Sequence, residues 1–183
     1  MKFMRDVTPD QNSIDLKALI HDLIEFIKNP VQRIRILPDW NWSSLFIVQI
    51  LVAIASGILA SIIKMDFGFW FIARTIIAMP IVTTLMALLL TFFVYYYFQF
   101  FENRSESFRK ILILIILSSI PFYIFQIASA YFAPISLIGF GFTAILAVIG
   151  LCENFGVEKK RAYTVVGVLF AIVLVTWISN RSF

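Results

Sequence analysis

Long apolar runs divide this chain, and they constrain its fold more than any other feature. Residues 45–63, 111–131, 135–151 and 163–178 each have about the length of a helix that crosses the ~30 Å hydrocarbon core of a bilayer. Residues 67–101 form a still longer run. Hydrophobic residues make up 61% of the chain and charged residues 14%, more apolar surface than a soluble domain of this size can bury. The sequence therefore predicts an all-α integral membrane bundle.

The run over residues 67–101 is too long for one span, and it allows two interpretations. A break at Met79–Pro80 leaves residues 67–78 as a short interfacial or re-entrant piece, followed by a span over about 80–101. Alternatively, the whole run is one long, tilted helix kinked at Pro80. The first interpretation is preferred here, and it predicts five spans in total.

The distribution of Lys and Arg predicts the orientation of these spans. With the N-terminus inside, the inner segments carry twelve Lys and Arg residues and the outer segments carry three. This asymmetry follows the positive-inside rule for an odd number of spans. The first forty residues lack the apolar core of a cleavable signal peptide. We therefore expect a cytoplasmic N-terminus.

Residues 1–40 are predicted to form a cytoplasmic segment that contains an amphipathic helix over residues 14–28. Ser13 is its expected N-cap, and Asn29–Pro30 ends it. The apolar positions follow helical spacing: Leu16, Leu19, Ile20, Leu23, Ile24 and Ile27. The helix is too short and too charged to cross a bilayer, so we expect it to lie in the membrane interface. Domain 41–183 then holds the spans.

Basic side chains at the inner ends of the predicted spans are candidate contacts for anionic lipid or for a cytoplasmic partner. Each Lys or Arg near an anionic membrane surface gains about 1 kcal/mol. The candidates lie beside the amphipathic helix and in the loops 102–110 and 152–162: Arg33, Arg35, Arg104, Arg109, Lys110, Lys159, Lys160 and Arg161.

Polar residues within the apolar runs are few, and they are candidates for an intramembrane path: Gln49, Arg74, Gln99 and Gln126. Arg74 either snorkels to lipid phosphates, with Asp66 as a candidate partner, or is a buried functional arginine. No Asp or Glu falls inside the predicted spans. The sequence shows no catalytic motif, cofactor site or metal-ligand pattern, and it predicts a protein that is not an enzyme.

Single residues and small-residue stripes have plain structural interpretations beside functional ones. His21 is expected on the polar helix face as a solvated residue. Cys152 is either an inert thiol or a palmitoylation site. Two stripes of small residues recur every fourth position, which lets helices approach closely within one chain or between two copies: Ala53, Gly57 and Ser61, then Gly139, Thr143 and Ala147.

Residues 20–178 resemble the Yip family of multi-span membrane proteins, in its bacterial branch. The resemblance is carried by Asn29–Pro30, by SESFRKILILIILSSIP from Ser105 to Pro121, and by EKKRA from Glu158 to Ala162. The sequence departs from the family where Glu102-Asn103-Arg104 replaces the usual glycines, and it lacks the eukaryotic Asp-Leu-Tyr-Gly-Pro motif. The resemblance implies a bacterial inner membrane as the location, a membrane-organising role and no catalytic residues.

The expected function is a non-enzymatic membrane scaffold that engages lipid or a cytoplasmic or membrane protein partner through its basic inner face. The alternatives are a small membrane transporter or channel, and a subunit of a larger membrane complex. Membrane lipids are expected partners and a homo-oligomer is an open alternative, whereas the placement of the basic residues between apolar runs disfavours nucleic acid.

Overall fold

The computed structural model describes residues 16–65, 68–129, 131–132 and 134–179, with side chains described as far as Val175. Ser13, Asp66 and Arg181, to which the sequence predictions assigned roles or charges, lie outside these residues. The described chain is all-α and holds these elements: α1 (Leu16–Lys28), α2 (Pro30–Arg33), α3 (Trp42–Lys64), α4 (Phe69–Ala73), a π-helical turn (Arg74–Ala78), α5 (Met79–Phe101), α6 (Phe108–Ala128), α7 (Ile135–Phe155) and α8 (Lys159–Ser179).

Four helices in the described residues are long and apolar enough to cross a membrane: Trp42–Lys64, Phe69–Phe101, Phe108–Ala128 and Ile135–Phe155. Many of their large apolar side chains are exposed, including Leu89 at 62% and Ile145 at 54%. A surface of that kind is stable against lipid and not against water. The chain is therefore an integral membrane protein with a helical bundle.

The helix from Phe69 to Phe101 runs without a break through Met79–Pro80. This is the long-helix alternative, and the separation at the proline that the sequence favoured is absent. Arg74–Ala78 form a π-helical turn directly before Pro80, which lies in the first turn of α5. A π-turn is one of the ways in which a membrane helix accommodates a missing backbone N–H. At 33 residues, this helix exceeds the thickness of a ~30 Å hydrocarbon core and must tilt or project from it.

Helix α6 lies at the centre of the bundle. Every residue from Ile111 to Leu117 is at most 7% exposed, so the helix is buried on all sides over this stretch. It packs against α7 most extensively, and then against α3 and α5. A helix that is apolar on every face belongs in such a central position.

The first small-residue stripe packs inside the bundle. An ideal Cβ placed on Gly57 would clash with Cγ2 of Thr75 in the π-helical turn. Ala53 is fully buried, and the Ser61 hydroxyl donates a hydrogen bond of 2.8 Å to the carbonyl of Gly57. Of the two interpretations, contact between helices of one chain therefore accounts for this stripe.

Candidate functional site

The basic side chains gather at one end of the bundle, which we call the basic end. There α3, α6 and α8 begin, α5 and α7 end, and α1 and α2 are attached. Ten of the described Lys and Arg residues belong to this end, whereas Lys64 and Arg74 are the two described ones that lie elsewhere. All eight predicted contact residues are therefore at the basic end.

Four of the eight predicted contact residues form ion pairs within the protein. Their N···O distances are 2.7 Å for Arg33–Glu25, 2.7 Å for Arg109–Asp39, 3.0 Å for Arg161–Glu102 and 3.7 Å for Arg104–Glu106. Three of these pairs join different elements of the basic end. These arginines therefore connect parts of the protein, and their charge is partly neutralised before any ligand arrives.

Arg104 is the most enclosed of the four. Its Nη2 donates a hydrogen bond of 2.6 Å to the backbone carbonyl of Phe155, the last residue of α7. Its guanidinium carbon lies 5.2 Å from the ring centroid of Phe98, a cation–π geometry. A cation at a helix C-terminus is also favoured by the helix dipole. Arg104 thus fastens the loop after α5 to the end of α7.

Glu102 links two helices at the basic end. Its Oε1 accepts hydrogen bonds from Arg161 at 3.0 Å and from the Tyr97 hydroxyl at 2.9 Å. These two donors lower the pKa of the Glu102 carboxyl below its usual range, against the opposing effect of burial. The carboxylate is therefore held in its charged form and ties the start of α8 to the end of α5.

The other four predicted contact residues are exposed and form no salt bridge among the described residues: Arg35, Lys110, Lys159 and Lys160. Lys110 lies in the first turn of α6, and Lys159 and Lys160 open α8. These four charges are the part of the candidate set that an external anion can reach.

Asn154 was missed by the sequence analysis, which placed it without a role in the loop 152–162. The structure puts it in the last turn of α7, where its side chain holds the segment after α2. Its Nδ2 donates to the carbonyl of Ile34 at 2.8 Å, and its Oδ1 accepts from the amide of Leu37 at 3.2 Å. In the sequence, the sign of this role is a single Asn at the end of an apolar run, and this pattern does not identify the backbone groups to which the side chain binds.

Ile34 lies beside these two hydrogen bonds of Asn154. It is fully buried. An ideal Cβ placed on Gly150 of α7 would lie 3.3 Å from Cγ1 of Ile34 and would clash with Cδ1 of Leu114. The absence of a side chain at Gly150 therefore makes room for Ile34 and α6 together. Within the non-helical segment 34–41, Ile34 and Trp40 are buried, whereas Arg35, Ile36 and Asp39 are exposed.

The four residues of the predicted intramembrane path are not brought together. Gln49 is 2% exposed and donates to the Tyr123 hydroxyl at 2.8 Å. Gln99 is exposed and bonds Tyr95 on its own helix. Arg74 is exposed on the π-helical turn, and Gln126 has a buried Oε1 that finds no hydrogen-bond partner in the described residues. These side chains do not line one continuous passage in the described structure.

The remaining sequence candidates occupy ordinary positions. His21 is exposed on α1, and Cys152 is a half-buried free thiol near the end of α7. Among the described residues, no three His, Cys, Asp or Glu side chains are placed to hold a metal ion together.

Comparison with known proteins agrees with this architecture. The family model of the Yip1 domain matches residues 24–179, a range that begins within α1 and ends with α8. No curated protein matches the chain, and no solved structure matches it. The family match spans most of the chain, including the helices of the bundle and both loops of the basic end. The chain therefore belongs to the Yip1 domain family.

Proposed function

We propose that this protein is a non-enzymatic membrane scaffold that holds anionic lipid at its basic end and thereby presents that end to a cytoplasmic or membrane protein partner. The observation that carries the proposal is the division of the basic residues. Four arginines are used in internal ion pairs, whereas Arg35, Lys110, Lys159 and Lys160 are exposed without one in the described structure. Each of these four gains about 1 kcal/mol next to an anionic surface.

Helix α1 supports the same proposal with a second apolar row. Leu19, Leu23 and Phe26 are buried against the bundle, but the neighbouring row is 42–53% exposed: Leu16, Ile20, Ile24 and Ile27. An apolar row beside basic residues on a helix attached to a membrane bundle fits the headgroup region. In this proposal α1 lies in the interface of the cytoplasmic leaflet.

The proposal includes five spans and a cytoplasmic basic end. Helix α8, 21 residues from Lys159 to Ser179, is long enough to be the fifth span. The concentration of ten described Lys and Arg residues at the basic end, against two elsewhere, supports a cytoplasmic N-terminus. The proposal also includes a bacterial inner membrane as the location, which the resemblance to the bacterial branch of the family implies.

The experiment compares the unaltered protein with two variants of the full chain in which basic side chains are replaced by neutral ones. The test variant is Lys110→Gln with Lys159→Gln and Lys160→Gln, and the control is Lys64→Gln with Arg74→Gln. Each protein is purified gently into nanodiscs of mixed phosphatidylglycerol and phosphatidylcholine, and everything bound is identified by mass spectrometry. We expect the test variant alone to lose enrichment of the anionic lipid. Equal enrichment in all three proteins would refute the proposal.

Point variants are sharper here than truncation. Removal of the N-terminal segment would also remove Ile34, which is fully buried between α6 and α7, and would therefore damage the bundle. A transporter would instead show flux in liposomes that Gln126→Leu changes. Such flux would displace the scaffold proposal, and stoichiometric co-purifying chains would assign the protein to a larger complex.

A further inference from the structure

A second feature of the basic end is a cavity of about 180 Å³ between α1, the segment after α2 and α6. Its polar wall carries Asp22, Arg33 and the indole of Trp40, and its apolar wall includes Phe26 and Leu117. This volume is far above the roughly 15 Å³ that admits one water molecule. The cavity can therefore hold a group of several heavy atoms.

Asp22 brings a carboxylate to the lining of this cavity. Its Oδ2 accepts a hydrogen bond of 3.1 Å from Nε1 of Trp40, a neutral donor. It takes part in none of the salt bridges among the described residues. Trp40 itself is 6% exposed, so the indole that holds this carboxylate is fixed within the protein. One side of the cavity therefore suits an ammonium group.

Arg33 supplies the opposite charge on the same wall. One of its nitrogens, Nη2, is bound to Glu25 at 2.7 Å. A guanidinium has five N–H donors in a planar fork, so donors remain for a phosphate in addition to this ion pair. The cavity therefore offers a site for an anion and a site for a cation within one small space.

The depth of the cavity favours a lipid over a water-soluble zwitterion. Leu117 is nine positions into α6, which begins at Phe108, so it lies about 13 Å from the start of that helix. The cavity thus extends from the charged end of the bundle toward the apolar part of a spanning helix. An amphiphile whose zwitterionic head meets the polar wall matches this gradient.

We propose that this cavity binds the headgroup of a phospholipid with a primary amine, of the phosphatidylethanolamine type. Asp22 accepts hydrogen bonds from the ammonium, and Arg33 donates to the phosphate. A primary ammonium is specified because a quaternary one has no N–H to donate to the Asp22 carboxylate. This site is separate from the exposed lysines of the proposed scaffold function, which recognise net negative charge.

The test titrates the detergent-purified full chain with three lipids of identical acyl chains and counts bound lipid by native mass spectrometry. The lipids are phosphatidylethanolamine, phosphatidylcholine and phosphatidylglycerol. We expect phosphatidylethanolamine to be retained about tenfold over phosphatidylcholine, because a charge-assisted hydrogen bond separates them. Equal retention of these two lipids by the unaltered protein would overturn the proposal without any variant.

Variants assign the preference to residues. Asp22→Asn removes the charge but keeps an oxygen that can accept from Trp40, so the hydrogen bond should be kept while the preference for the amine is lost. Arg33→Gln should lower retention of both phosphate-bearing zwitterions together. Asp39→Asn, which removes an acid paired with Arg109 outside the cavity, is the matched control. A preference that survives Asp22→Asn, or falls equally in Asp39→Asn, would refute the assignment.

Retention of phosphatidylglycerol separates this proposal from the scaffold proposal. Loss of its retention in the variant at Lys110, Lys159 and Lys160 tests the exposed cations and leaves the amine preference unaffected. Loss of the amine preference in Asp22→Asn tests the cavity and leaves the anionic lipid unaffected. Each proposal can therefore fail while the other stands.

Discussion

Replacement of Asn154 by leucine is expected to release the segment that follows α2 from the bundle. The wild-type amide makes two hydrogen bonds to that segment, at 2.8 Å to the carbonyl of Ile34 and 3.2 Å from the amide of Leu37. Each bond contributes about 1 kcal/mol net. Together they stabilise the docked segment by about 2 kcal/mol, which corresponds to roughly a thirtyfold shift in its opening equilibrium.

Hydrogen exchange with mass spectrometry in detergent measures this opening directly. Peptides that cover residues 34–40 should exchange roughly thirtyfold faster in Asn154→Leu, because local opening exposes their amides. Peptides from the centre of α6 should change little. Glu153→Leu is the matched control, since Glu153 is the exposed neighbour of Asn154 on α7. If the hydrogen-exchange rates of the 34–40 peptides stay within about threefold of wild type, Asn154 does not hold this segment against the bundle.

Three further predictions test packing, charge and a buried hydrogen bond. Gly57→Ala should lower the melting temperature in detergent through its close contact with the π-helical turn, whereas Gly167→Ala, with open space around its Cβ position, should not. The Glu102–Arg161 contact should be complete above about pH 4.3, the ordinary Glu pKa, and should be lost as the pH falls through the lowered pKa of Glu102. Amide hydrogen exchange at the start of α8 should become faster in this acidic range. Glu102→Gln should abolish this pH dependence. Gln49→Leu should cost about 0.6–1.7 kcal/mol in a reversible unfolding assay, the range for hydrogen bonds between membrane helices.

The all-α class was predictable from the sequence because the information lies along the chain. A run of about twenty apolar residues must form a spanning helix or remain buried, and no distant residue changes that conclusion. Membership in the Yip1 domain family was likewise evident from local segments and is confirmed by the match to residues 24–179. The continuity of the helix through Pro80 could not be predicted in the same way, because it depends on a π-helical turn for which the sequence has no recognisable pattern.

The division of the eight candidate residues into four with ion pairs and four without could not be predicted, because it depends on contacts between residues that are distant in the sequence. Arg109 meets Asp39, 70 positions away, and Arg104 meets the carbonyl of Phe155, 51 positions away. By sequence alone these arginines are equivalent to Lys110 and Lys159. The role of Asn154 could not be predicted for the same reason, because its hydrogen-bond partners lie 117 and 120 positions away.

Arg161 and Lys159 permit a direct test of this division. They lie two positions apart at the start of α8 and carry the same charge, but Arg161 bonds Glu102 at 3.0 Å and Lys159 forms no salt bridge among the described residues. Arg161→Gln should therefore lower the melting temperature, because it leaves the Glu102 carboxylate, 14% exposed, without its cation. Lys159→Gln should leave the melting temperature unchanged and reduce retention of phosphatidylglycerol in nanodiscs. Because both substitutions remove one positive charge, net charge cannot produce opposite outcomes. Equal effects of the two variants on both measurements would show that the ion pairs do not divide the basic residues into structural and lipid-binding sets.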